Sequence, residues 1–181
     1  MLLNKIPVLD KGYVALIDSC NTTQKLRDIG EEFFGGTYPT SLEELGSLTV
    51  VIKCPLFVQL NMSKYNFKVI NTILFEGATI EAFCPNPGEI GARERSTCED
   101  ISTDIARTTD ALLINHKAYV ADGANNFISQ ILTPINIYTT LIVQGSYTEW
   151  CKFAYQRPSP FPKPIEAYTI ALQQIITAEW K

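Results

Sequence analysis

Hydrophobic and polar positions alternate first between Val8 and Cys20, where Tyr13, Ala15 and Ile17 interleave with Val14, Leu16 and Asp18. That period of two predicts extended structure, with a turn at Asp10-Lys11-Gly12. Asn21-Thr22-Thr23 supplies an N-cap for a helix from about Thr23 to Phe34, stopped by Gly35-Gly36 and followed by a loop around Pro39. Ser41-Leu42-Glu43-Glu44 has capping-box spacing and predicts a short helical turn. Leu48-Thr49-Val50-Val51-Ile52-Lys53 is the clearest strand, rich in β-branched residues. Pro55 then opens a helix through Leu56, Leu60 and on to Ser63-Lys64.

Phe67 to Phe83 is irregular, and Cys84 to Gly91, with two Pro and two Gly, reads as loop. A second capping box, Ser96-Thr97-Cys98-Glu99, precedes Ile101, Ile105, Thr108, Leu112 and Ile114, one face of a helix running to Val120 and ended by Asp122-Gly123. Asn125 or Asn126 caps a further helix through Phe127, Ile128, Ile131 and Leu132. Pro134 kinks or breaks that pattern, and the apolar run continues from Ile135 to Val143 as a helix carrying Tyr138, until Gly145. Ser146-Tyr147-Thr148-Glu149 caps a helix with Trp150, Phe153 and Ala154. Arg157 to Pro164, with four prolines, is a stiff loop before a final amphipathic helix from Ile165 to Trp180, striped by Tyr168, Leu172, Ile175 and Ile176.

Composition narrows the function classes. The 181 residues fit one domain, and 46% hydrophobic with 19% charged residues describes a chain that folds. A net charge of -4 with no basic run argues against a nucleic-acid surface, while leaving room for a basic pocket sized for one nucleotide. No apolar run approaches the ~18–20 residues of a membrane span. The opening Met1-Leu2-Leu3-Asn4-Lys5 lacks the order of a secretory leader. Five widely spaced cysteines, Cys20, Cys54, Cys84, Cys98 and Cys151, point to a reducing cytoplasm and to small buried hydrophobes, not to a disulfide framework or a zinc site. The single His116 has no second His for a metal and reads as helix surface.

There is no phosphate-binding Gly loop after a strand and no Gly-x-Ser-x-Gly elbow. Glu43-Glu44 reads as a cap before it reads as an acid–base pair. The aromatic group Tyr147, Trp150, Phe153 and Tyr155 suits a core as well as a ring-stacking site. Arg157, beside the stiff Pro loop, is placed either to hold a phosphate or carboxylate with its guanidinium or to face solvent.

Four segments, in order, resemble the flavin-dependent thymidylate synthases, the thymidylate synthase complementing protein family. They are Ile6-Pro7-Val8-Leu9-Asp10-Lys11-Gly12-Tyr13-Val14-Ala15-Leu16-Ile17-Asp18, Val51-Ile52-Lys53-Cys54-Pro55-Leu56-Phe57-Val58, Ile80-Glu81-Ala82-Phe83-Cys84-Pro85-Asn86-Pro87 and Leu132-Thr133-Pro134-Ile135-Asn136-Ile137-Tyr138-Thr139. The second is similar to the family's Val-Lys-x-Pro-Ile-Phe-Val and the fourth to its Leu-Pro-Leu-x-x-Tyr-Thr. The resemblance spans nearly the whole chain, residues 1–181, as one domain. It implies an α+β fold, a mixed sheet packed with helices. It also implies an activity: C5 methylation or hydroxymethylation of a pyrimidine deoxynucleotide such as dUMP, with FAD, NADPH and methylene-tetrahydrofolate, in a homotetramer with sites between subunits.

The resemblance carries site residues over unevenly. The family's Arg-His-Arg places fall on Lys64, Tyr65 and Asn66, its later small residue on Val69, and its Asn on Asn71, giving Lys64, Tyr65, Asn66 and Asn71 as implied cofactor-binding positions. Arg157, Gln130 and Asn61 are the implied substrate-binding positions, Gln130 standing where the family has Arg. The family's Pro-Phe-Glu-His segment becomes Ser41 to Leu45, keeping Glu44 alone. Lys64 keeps a charge without the bidentate fork, and Asn66 and Gln130 lose theirs, so dUMP binding is expected to be weakened. Three functions compete: a divergent flavin-dependent nucleotide enzyme, a non-catalytic member retaining the fold for assembly or as partner of an active enzyme, and a binding module for another nucleotide or small ligand with Arg157 and Lys64 as anion anchors.

Overall fold

The computed structural model describes residues 5–21, 46–71, 80–90, 95–124, 133–155 and 163–180. The helix expected at 23–34, the Gly35-Gly36 stop, the capping box at Ser41, the helix after Asn125 and the Pro-rich run from Arg157 to Pro162 lie outside the described residues. The described chain is a mixed α+β structure built on one sheet. Its strands are β1 (Lys5–Val8), β2 (Gly12–Cys20), β3 (Ser47–Pro55), β4 (Lys68–Asn71) and β5 (Tyr138–Ser146), in the order β1-β2-β3-β5-β4 and antiparallel throughout. The helices are α1 (Leu56–Met62), α2 (Pro87–Ile90), α3 (Arg95–Ala121), α4 (Tyr147–Ala154) and α5 (Lys163–Glu179).

The Asp10-Lys11-Gly12 turn forms as expected and joins β1 to β2, with Leu9 at φ 58. The strand expected at 48–53 is the centre of β3, which pairs with β5 over nine residues from Ser47↔Ser146 to Pro55↔Tyr138. Pro55 ends β3, where its missing N–H costs no ladder bond, and is the N-cap of α1. No side chain caps α1. Its first orphan donors are instead met by the next segment, Leu56 N–H donating to Ile137 O (3.0 Å) and Phe57 N–H to Ile135 O (2.9 Å).

The helix expected through Ile135–Val143 is not formed: Tyr138–Ser146 is strand β5, inside the sheet between β3 and β4. A short continuous apolar run has no period that separates a helix from a strand buried on both faces. Thr139, Thr140, Ile142 and Val143 are β-branched, and both edges of the segment find partners, β3 on one side and β4 on the other. β4 likewise lies within a stretch that reads as irregular, since four residues are too few to show a period. α3 starts at Arg95, so Ser96 sits inside its first turn and does not cap it. Gly123, at φ 80, follows its end as expected.

One face of the sheet, carrying Val14, Leu48, Val50, Ile52, Cys54, Leu141 and Val143, packs under α1, α4 and α5. The alternating burial of β3 shows the division, its intervening Thr49, Val51 and Lys53 being only half-buried. From above come Val58 and Met62, then Trp150 and Phe153, then Ile165, Tyr168, Leu172, Ile175 and Ile176, the stripe expected of the last helix. α3 is tied to the sheet end by Asn136, whose Nδ2 donates to Phe83 O (2.8 Å) and to Thr109 Oγ1 (2.9 Å). His116, on α3, is buried at 6% exposure, which corrects the expectation of a surface histidine. Of the five cysteines, all free, only Cys54 and Cys98 are buried. Burial pushes the Cys54 thiol up to about 12, so it is an inert core group.

Candidate functional site

α1 ends at Met62 in a tight turn. Ser63 N–H donates to Gln59 O (3.1 Å), Tyr65 N–H to Met62 O (3.0 Å), and Phe67 N–H to Tyr65 O (2.9 Å). The turn delivers the chain to β4 and sets Lys64 and Tyr65 beside the last turn of α4. There, Lys64, Tyr65, Cys151, Lys152 and Tyr155 line an open depression of about 540 Å³. That volume is in the range of small-ligand sites.

Aromatic packing holds the Tyr65 ring of that lining in place. The Tyr65 ring meets Phe153 edge-on at 5.2 Å and Phe67 at 5.8 Å, and Phe67 lies 4.4 Å from the buried Trp150. Gly145 makes room for this stack: a Cβ there would fall 2.5 Å from Phe67 Cδ1. The Tyr155 hydroxyl reaches α5, 3.1 Å from Thr177 Oγ1. Two lysine ammoniums and two tyrosine rings thus share one depression, a pairing that suits an anion carried beside a planar ring.

Glu149 stands next to it. Its backbone N–H donates to Ser146 Oγ (3.3 Å), half of the expected capping box. Its side chain turns outward from the box: Oε2 accepts the Asn66 N–H (3.0 Å) and Oε1 the Lys152 ammonium (2.6 Å). The Lys152 bond first, and the Asn66 N–H second, hold the Glu149 carboxyl below the usual carboxylate range. Burial, then the Glu149 charge, raises Tyr65, which therefore stays a neutral donor.

Of the residues implied by resemblance, the structure brings Lys64 and Tyr65 into the depression. Asn61 supports it from α1, its Nδ2 donating to Phe57 O (2.9 Å) and its Oδ1 accepting Lys64 Nζ (3.4 Å). Asn66 contributes its backbone N–H to Glu149. Asn71 ends β4, paired opposite Leu141. Gln130 and Arg157 lie outside the described residues. Sequence reasoning missed Lys152, Cys151 and Glu149. The one available signal was the Glu149–Lys152 spacing of three on a helix, which reads as a surface ion pair.

FAD needs donors for a diphosphate and a slot for three fused rings. The lining here is Lys64, Tyr65, Cys151, Lys152 and Tyr155, two single cations and two separate rings. The described residues do not fit a flavin dinucleotide; they fit a smaller anion beside one ring. A larger cleft, about 650 Å³, runs between α3 and the segments around Phe83 and Ile135, and its walls include Phe57, Ile101, Ile105 and Leu112. Among its described lining residues the one charged group is Asp104, an anion that repels a phosphate. Among the described residues no His/Cys/Asp/Glu group could hold a metal, and no helix is long and apolar enough to cross a membrane. The chain matches no protein-family model and no curated protein.

Proposed function

We propose that this chain is a divergent flavin-dependent thymidylate synthase-like protein that binds a pyrimidine deoxynucleotide of the dUMP kind in the Lys64–Lys152 depression. The observation that carries the reading is the meeting of Lys64 and Tyr65, which stand at the family's signature places, with Lys152 and Tyr155 from α4. The ammoniums take the phosphate and a tyrosine ring lies against the base. The strand β3, Pro55 and α1 supply the junction that the resemblance implies, which supports the family fold. Titration calorimetry tests the assignment. dUMP should bind, and Lys64→Gln should weaken it about fivefold, the value of an exposed charge contact near 1 kcal/mol. Deoxyuridine, lacking the phosphate, should be indifferent to that substitution. No heat from dUMP at millimolar concentration would remove the reading.

A second reading, assembly without catalysis, is favoured by α3. It leaves Ile114 and Tyr119 more than half exposed, and Ile135 beside the large cleft is 62% exposed. Apolar surface of this kind supports a homo-oligomer, the tetramer the resemblance implies. Light scattering on the purified chain should give a multiple of 20.2 kDa; a monomer at micromolar concentration would exclude it.

A further inference from the structure

Lys152 is held in a way the proposed binding must undo. Its ammonium is 2.6 Å from Glu149 Oε1, while its side chain remains 60% exposed along the lining of the depression. Glu149 in turn is 15% exposed and anchored twice, by the Ser146 cap on its N–H and by the Asn66 N–H on Oε2. The carboxylate is therefore the fixed partner and the lysine the mobile one. Lys64, by contrast, has a neutral neighbour, the Asn61 carbonyl oxygen at 3.4 Å. Lys64, Lys152 and Glu149 together leave one net positive charge facing a phosphate dianion.

We infer that Glu149 sets the anion affinity of the depression, holding Lys152 until a ligand phosphate takes that ammonium over. The inference rests on the nucleotide-binding reading for its natural ligand, but the handover needs only an anion. Glu149 touches no ligand in this scheme: it is a positioning residue that acts through Lys152. Removing its charge frees a cation and removes a repulsion, so binding tightens. A residue that merely supported the fold would loosen binding when changed.

Glu149→Gln is the discriminating variant, since the amide oxygen still accepts the Asn66 N–H and the segment after α1 stays clamped. Equilibrium dialysis against dUMP, deoxyuridine and inorganic phosphate reads the effect. The expected result is a three- to fivefold gain for dUMP and for phosphate, the size of an exposed ion pair, with no change for deoxyuridine. Adding Lys152→Gln should reduce the gain below about twofold. dUMP binding that is unchanged or weaker in Glu149→Gln would overturn the inference and leave the nucleotide reading standing. Phosphate binding that gains while dUMP binds to neither protein would keep the handover and sink the nucleotide reading. Binding of neither probe to either protein would overturn both.

Discussion

Gly12→Ala is expected to cost about 4 kcal/mol or more, enough to unfold a domain of ordinary stability. Gly12 begins β2 where three elements converge. A Cβ there would overlap the Tyr168 hydroxyl and lie 2.7 Å from Val8 O and 2.8 Å from Lys53 O. Two of those neighbours are backbone atoms in sheet strands, which cannot step aside. The third belongs to a tyrosine 1% exposed in the core, whose hydroxyl donates to Lys53 O (2.9 Å) and ties α5 to β3. The methyl group must push apart the β1–β2 hairpin or break that tie. A double-mutant cycle separates the two: Tyr168→Phe removes the overlapping oxygen, so Gly12→Ala should cost less in that background, but not nothing, because the two carbonyls remain. Urea denaturation monitored by circular dichroism gives each value. A soluble Gly12→Ala protein with an unchanged midpoint would show that β1 and β2 do not meet α5 in this way.

Trp150→Ala should cost about 3–5 kcal/mol, the range for deleting a large buried aromatic. The indole is fully buried between β3, β5 and α4, and its Nε1 donates to Leu48 O (3.0 Å). Alanine leaves a cavity under Phe67 and removes the donor from a buried carbonyl. Trp150→Phe keeps most of the volume and should cost only about 1–2 kcal/mol, the share of the lost hydrogen bond. The consequence reaches the site, because Trp150 packs on Phe67 and Phe67 on the Tyr65 ring, which lines the depression. dUMP affinity should therefore fall in Trp150→Ala more than in Trp150→Phe.

Much of the fold was legible because its signals are local. The β-branched run at 48–53, Pro55 after it, Ser146 ahead of α4 and the stripe from Ile165 to Ile176 each state their structure within a few residues. β5 was not legible, because what makes it a strand is the nine-residue ladder to Ser47–Pro55, far off in sequence. β4 depends in the same way on β5. The burial of His116 on α3 is a matter of tertiary packing, which the helix pattern alone does not contain.

The candidate site divides along the same line. Lys64 and Tyr65 came only from the family likeness, since a lysine and a tyrosine after a short helix carry no motif of their own. Glu149 and Lys152 looked like an ordinary helix pair. Their role depends on an Asn66 N–H that lies 83 residues earlier in the chain.

The account turns on where the nucleotide sits. Photo-crosslinking with a 5-iodo analogue of dUMP, followed by peptide mapping, reads that directly. An adduct on Tyr65 or Tyr155, lost in the presence of excess dUMP, is the predicted result. A competed adduct on Phe57 or Phe83, in the apolar cleft under α3, would contradict it.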